Sequence, residues 1–177
     1  MKIAIVSYSF TGNNKRFAAY LSRLIPADLI PVTPLHPVTY GSITLDLMFS
    51  RKPKTDFSAK ALTPYDLVLM IAPIWMGQIA FPMRGCLDAL KASRIPYAFL
   101  SVSGGADGDN PRIAAELTRR TGKAPAFVLD QHIRSLLPPD PAPTRDDTSK
   151  YALTEADCEL FAQSALEMIR SAFPNAR

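Results

Sequence analysis

The chain has 177 residues, 47% of them apolar and 20% charged, with a formal net charge of +4. That composition excludes a disordered or fibrous chain and leaves room for one domain with a substantial core. The basic residues are scattered rather than clustered with aromatics, which argues against a nucleic-acid binder and for a solvated surface.

The first element, "KIAIVSY" (2–8), has an apolar core too short for a secretory segment of roughly 7–15 residues; it reads as a buried strand. A helix follows from about Asn13 to Leu24, with Phe17, Tyr20, Leu21 and Leu24 on one face. "DLIPVTP" (28–34) is a weaker strand. Pro31 would remove a ladder hydrogen bond, so the strand belongs at a sheet edge. "DLVLMIAP" (66–73) is apolar throughout, as a strand buried on both faces of a parallel sheet should be. Pro82 then opens a helix with Met83, Cys86, Leu87 and Leu90 inward. "YAFLSVS" (97–103) is the next strand, followed by a helix with Asn110 as N-cap, Pro111 first and Gly122 as stop. "APAFVLD" (124–130) reads as the last strand. A helix capped by Thr154 runs from about Glu155 to Ala172 with Ala156, Leu160, Ala165, Met168 and Ile169 as its apolar stripe.

This alternation predicts an α/β protein with a parallel sheet covered by helices on both faces, as one domain over 1–177. Two excursions interrupt it. Residues 35–63 carry His36, Pro37, Pro53, a basic patch of Arg51, Lys52 and Lys54, and a short helix near Ile43–Phe49. Residues 135–150 hold Pro138, Pro139, Pro141 and Pro143, which predicts no regular structure there. Cys86 and Cys158 form no CxxC motif and read as reduced thiols of a cytoplasmic protein. No apolar run approaches the roughly 18 residues of a membrane span.

In an open parallel sheet, ligands bind beyond the carboxyl ends of the strands, where three loops fall. In the first, "YSFTGNNK", Ser9, Thr11, Asn13 and Asn14 offer hydrogen-bonding side chains. Gly12 allows a close turn, and a helix N-terminus supplies amides, so the corner suits a phosphate. An ordinary asparagine-capped turn is the competing reading. There is neither GxxxxGK[ST] nor GxGxxG, which argues against a nucleoside triphosphate or a dinucleotide of the Rossmann type. The second loop, "APIWMGQIAFP", places the only tryptophan, Trp75, past a strand end, where it either stacks on a planar ring or fills core. The third, "SVSGGADGDN", is glycine-rich: either a flexible turn or a set of amides for the polar edge of such a ring.

In order and position these three loops resemble the flavodoxin family. "SFTGNN" is similar to its phosphate loop of the type S/T-x-T-G-N-T, "APIWMGQ" to a P-V-W-x-G element beside the flavin, and "LSVSGG" to its third loop. The resemblance spans about residues 1–131 and the last helix. It implies a doubly wound five-stranded sheet in order 2-1-3-4-5 and one non-covalent FMN. On that resemblance Ser9, Thr11, Gly12, Asn13 and Asn14 would hold the phosphate. Pro73, Ile74, Trp75, Met76 and Gly77 would line the isoalloxazine, with Ser103, Gly104, Gly105 and Asp107 along its other edge. Asn14 stands where threonine is usual, and the third loop lacks the aromatic that many flavodoxins stack on the outer face.

The function expected is a redox protein in which FMN passes electrons from a reductant, NAD(P)H or a reductase, to a small-molecule or protein acceptor. The more open flavin favours an oxidoreductase over a pure electron carrier, and the basic charge suits an acidic partner. An interaction module of the same fold without flavin turnover is the alternative. His132 reads as a structural histidine or a proton donor near the flavin, His36 as exposed, and Arg84 as a solvated helix position or an anion contact.

Overall fold

The computed structural model describes residues 1–49 and 51–174; the single-domain expectation for 1–177 also extends over residues 50 and 175–177, outside the described residues. Five parallel strands form the sheet: β1 (Ile3–Ser7), β2 (Ala27–Pro31), β3 (Leu67–Ile71), β6 (Tyr97–Ser103) and β7 (Val128–His132), in the order β2-β1-β3-β6-β7. Two further strands, β4 (Ile74–Trp75) and β5 (Gln78–Ile79), make a separate antiparallel hairpin. Counting only the strands of the main sheet, the order is the expected 2-1-3-4-5. β1 and β3 are buried along their whole length, which their unbroken apolar runs require. β2, with Pro31 at its last position opposite Ser7, is an outer strand paired only with β1.

Alternating side chains send the sheet's apolar residues into two cores. Ile3, Ile5, Leu69, Leu100 and Val102 pack under α1 (Asn13–Leu24) and α6 (Glu155–Ala172). Val6, Val68, Met70, Tyr97 and Phe99 pack under α3 (Arg84–Ala92) and α4 (Ile113–Thr121). The inward positions of α3 are those expected, with Cys86, Leu87 and Leu90 buried beside Met83 in the preceding 3-10 turn. Thr154 caps α6 through a reciprocal pair with Asp157, and Gly122 ends α4 at φ +75°.

Four expectations are corrected. β7 begins four residues later than "APAFVLD" suggested and runs to His132. Asn110 does not cap α4; its carbonyl accepts from Ile113 N while its amide donates to Asp130 Oδ2 at 2.7 Å. The buried face of α6 is Cys158, Phe161, Ala162, Ala165 and Ile169, whereas Ala156, Leu160 and Met168 face solvent. Residues 135–150 contain regular structure after all: α5 (Arg145–Lys150), capped by Thr144 and Asp147 just past the prolines.

In the first excursion a helix, α2 (Tyr40–Met48), starts three residues before the expected one, with Thr39 and Ser42 forming the capping box. The excursion is pinched at its base. Leu35 N donates to Lys54 O and Asp56 N to Thr33 O, around a Pro34–Thr55 bridge.

The buried Cys86 thiol is pushed up to about 12 by desolvation, and Cys158 is also raised, by burial first. Both thiols should therefore resist a disulfide-exchange reagent in the native state and react at once in denaturant. The unfolded Cys86 thiol ionises near its ordinary value of 9.0 while the folded one keeps its proton. Stability should accordingly fall as pH rises through this window, at a slope of up to about 1.4 kcal/mol per pH unit. Equilibrium unfolding in urea at graded pH measures it.

Candidate functional site

β1 delivers its chain to the middle of the sheet's carboxyl edge. Tyr8 N donates to Ile71 O and Val32 N to Ser7 O, so the first loop leaves from a fixed point. Ser9 Oγ accepts from Gly12 N at 3.0 Å, which leaves its hydroxyl proton directed elsewhere. Gly12 sits at φ +100°, with nothing within 4 Å of where a Cβ would stand. It caps α1 without a side-chain bond, and no acidic residue lies in the first turn. The amides of Asn13, Asn14 and Lys15 have no intrahelical acceptor and face this open corner with the positive end of the helix dipole. Thr11 is exposed beside them.

The two asparagine side chains are occupied. Asn14 Nδ2 donates to Val102 O and Asn14 Oδ1 accepts from Val102 N, both at 2.9 Å and buried. Asn13 Nδ2 donates to Tyr151 O, and Leu153 N donates to Asn13 Oδ1. Asn13 and Asn14 thus tie the loop to β6 and to residues 151–153, which leaves the backbone amides and the hydroxyls of Ser9 and Thr11 as the polar groups of the corner.

The second loop is a β-hairpin. Trp75 pairs with Gln78, and the two residues between, Met76 and Gly77, take φ values of +51° and +75°. Positive φ at both positions is the type I′ geometry; methionine pays for it in strain and projects 80% exposed. Trp75 is half-buried, edge-on to Tyr8, Phe10 and Phe81 with ring centres 5.7–5.9 Å apart. Phe10, partly buried between Ser9 and Thr11 in the chain, in turn meets Tyr40 of α2 at 5.2 Å. Pro73 and Ile74 are partly buried below. The hairpin is braced from beneath by Gln78, whose Oε1 accepts from Arg120 Nη2 at 3.0 Å and lies 3.4 Å from Arg84 Nη2.

Arg84 is therefore not a solvated helix position. It is 4% exposed, stacked on the Phe81 ring and donating to Arg51 O, and burial lowers its guanidinium below the ordinary value, with Arg120 adding to the shift. Burial also pushes the Tyr8 phenol up to about 12, so it remains protonated beside Trp75.

In the third loop a Cβ on Gly104 would stand 2.9 Å from Thr148 Oγ1 of α5, and one on Gly105 would stand 2.5 Å from His132 Cβ. Both glycines are demanded by packing. Ser103 Oγ and Asp130 Oδ1 are buried without a partner among the described residues. His132 lies beneath Gly105 with Nε2 3.1 Å from Asp130 Oδ2 and Nδ1 3.7 Å from Asp109 Oδ1. Asp107 turns outward to Arg145, whose Nε donates to both carboxylate oxygens at 2.7 and 2.8 Å.

The structure thus brings the three loops to one carboxyl edge. Phe10, Tyr40, Gln78 and Asp130 join them without having been singled out, and Asn110 joins them as a bond to Asp130 rather than as the expected cap. Only Phe10 carried a signal, as an aromatic inside a polar loop. Among the described residues no group of His, Cys, Asp and Glu side chains could hold a metal ion.

The sheet order and the three loops at its carboxyl edge define a flavodoxin-like α/β protein. Solved structures agree. A flavoprotein from Lactobacillus acidophilus in complex with FMN is 25% identical, covering 73% of this chain and 93% of its own, with a TM-score of 0.60. Oxidised flavodoxin 1 from Bacillus cereus is 15% identical over 96% of this chain and 98% of its own (TM-score 0.54), and an archaeal flavodoxin 16% over 97% and 99% (0.55). These likenesses show that the chain has the flavodoxin-like fold. No protein-family profile and no curated protein sequence matches it.

Asn14→Ala should leave the buried Val102 N–H and C=O unpaired and lower stability by about 2–6 kcal/mol, on about 1–3 kcal/mol per stranded group; urea unfolding measures it. Gly105→Ala should cost about 1–3 kcal/mol from the forced φ and overlap with His132. Part of that loss should return in the His132→Gly background, which removes the Cβ that Gly105→Ala would meet and which a double-mutant cycle reads directly.

Proposed function

We propose that the chain binds one FMN at this edge and serves as a redox protein. The observation that carries the reading is the open corner at the start of α1: unpaired amides, a glycine with free space above it and no acid in the first turn. It is a neutral nest for a phosphate dianion that need never be cleaved. Ser9, Thr11 and Gly12, with the backbone of Asn13 and Asn14, would hold the phosphate. Pro73 to Gly77 would line the isoalloxazine with Trp75 against it, and Ser103, Gly104 and Gly105 would lie along the other edge. The unpartnered Ser103 Oγ supports a polar ligand there. Asp107, engaged by Arg145, would contribute only by holding the loop.

Bound FMN would supply two-electron redox chemistry, with NAD(P)H as reductant and a small acceptor such as a quinone. The protein's share is binding, orientation and exclusion of water. An oxidoreductase is favoured over a carrier of single electrons because the third loop presents no aromatic lid, and Phe10, Tyr40 and Met76 build an apolar rim beside the Trp75 hairpin. Anaerobic mixing with NADH and with NADPH tests this: bleaching of the flavin by either supports the oxidoreductase, and reduction only by a reductase protein assigns a carrier.

The purified protein should bind FMN with a stoichiometry of one and at least about tenfold more tightly than riboflavin, since charge-assisted hydrogen bonds contribute about 1.5–3 kcal/mol each. Equal affinity for the two would remove the phosphate nest from the account. Emission of Trp75, the only tryptophan, should be quenched on FMN binding. Trp75→Ala should weaken FMN at least about tenfold while leaving its preference over riboflavin intact; unchanged FMN affinity would make Trp75 a core residue only.

A further inference from the structure

Large apolar side chains that face solvent are concentrated in one stretch of the chain. Leu35, Tyr40, Leu45, Met48 and Phe49 are 59, 72, 46, 71 and 66% exposed. Tyr40, Thr44 and Met48 form one row of α2 at four-residue spacing, and Leu45 and Phe49 form the row beside it. The only charged residue of the helix, Asp46, is 8% exposed and faces Arg51 at 3.6 Å. The hydroxyl of Thr44 is bonded within the helix to Tyr40 O. Apart from the Tyr40 phenol, the outward face therefore offers apolar area and little directional hydrogen bonding.

Cations border it. Arg51, Lys52 and Lys54, with His36, line a hollow of about 370 Å³ against Ser42 and Asp46 on the helix flank beside the Leu45–Phe49 row. Lys52 is paired with Asp88, and Lys54 has no carboxylate partner among the described residues. No helix of the described residues is long and apolar enough to cross a membrane.

We infer that this face docks on an anionic bilayer surface, the α2 side chains entering the headgroup–acyl boundary and Arg51, Lys52 and Lys54 lying among the headgroups. Charge complementarity selects an acidic surface. With the Tyr40 phenol as the one outward hydrogen-bonding group of the two rows, the face suits a bilayer, where a tyrosine sits at headgroup level, better than an acidic protein, whose interface would carry about one hydrogen bond per 100–200 Å². Tyr40 reaches Phe10, and Phe10 reaches Trp75, so docking would set the candidate cofactor loops at the lipid surface, where an apolar acceptor is concentrated. The docking itself does not depend on the FMN reading, and the apoprotein serves equally in its test.

The test is co-sedimentation with vesicles of phosphatidylcholine alone or with about 30% phosphatidylglycerol added, a content that supplies the negative surface potential. Wild-type protein should partition strongly onto the anionic vesicles, less in high salt, and weakly onto the neutral ones. Met48→Glu with Phe49→Glu should reduce partitioning at least about tenfold, the factor made by about 1.4 kcal/mol of lost transfer free energy. Arg51→Glu with Lys54→Glu should do the same. All four positions are exposed, and unchanged circular dichroism and urea unfolding would show that each variant still folds. Equal partitioning onto both vesicle types, or an unaffected Met48→Glu/Phe49→Glu variant, overturns the proposal. So does binding to poly-L-glutamate as tight as to anionic vesicles and insensitive to that variant, an outcome that assigns the face to an acidic protein.

Discussion

The Asn14–Val102 pair is the constraint on which the carboxyl edge depends. β3 and β6 run together until Ala72 N donates to Leu100 O. The chain then departs at Pro73, and the next inward-facing groups of β6, the N–H and C=O of Val102, lose their neighbour. Buried backbone groups cannot stay unpaired without a penalty of about 1–3 kcal/mol each. The Asn14 carboxamide, with one donor and one acceptor in a plane, replaces the missing strand residue. The start of α1 is thereby fixed against the root of the third loop, and the Trp75 hairpin is free to rise between them.

A second brace comes from residues 144–153. Arg145 holds Asp107, Thr148 fills the space Gly104 leaves, and the backbone of Tyr151 and Leu153 holds Asn13. The proline-rich segment before them is thus a strap whose far end ties the first loop to the third. Its helix was invisible in the sequence because the four prolines dominate residues 138–143, and the Thr144–Asp147 cap follows immediately behind them.

What was legible followed from burial. β1, β3 and β6 are apolar over most of their length because both their faces are covered, and Pro31 marked β2 as an edge. α6 was misread because apolar residues occupy two of its sides. Spacing alone cannot choose between Leu160 and Phe161, and only the sheet's position makes Phe161 the inward one. Likewise the loop glycines were visible but their reason was not. Gly104 and Gly105 look like ligand-facing residues, yet the atoms that demand them are Thr148 and His132, distant in sequence. Asn13 and Asn14 look like phosphate donors for the same cause: hydrogen-bonding capacity is written in the sequence, but its partner is not.

Arg84 extends this to charge. A lone arginine after a loop is ordinarily read as solvated, because an isolated buried cation is expensive. Here the cost is offset by Arg51 O, Gln78 Oε1 and the face of Phe81, drawn from the excursion, the hairpin and the turn before α3. One cation thus joins the segment that carries the exposed α2 face to the hairpin that carries Trp75. Because Arg84 Nε has no partner among the described residues, its hydrogen bonding is not saturated, and loss of any one contact would leave more of a buried charge bare. The position of the hairpin is therefore set from below by electrostatics, and the excursion is part of the same structural unit as the loops it borders.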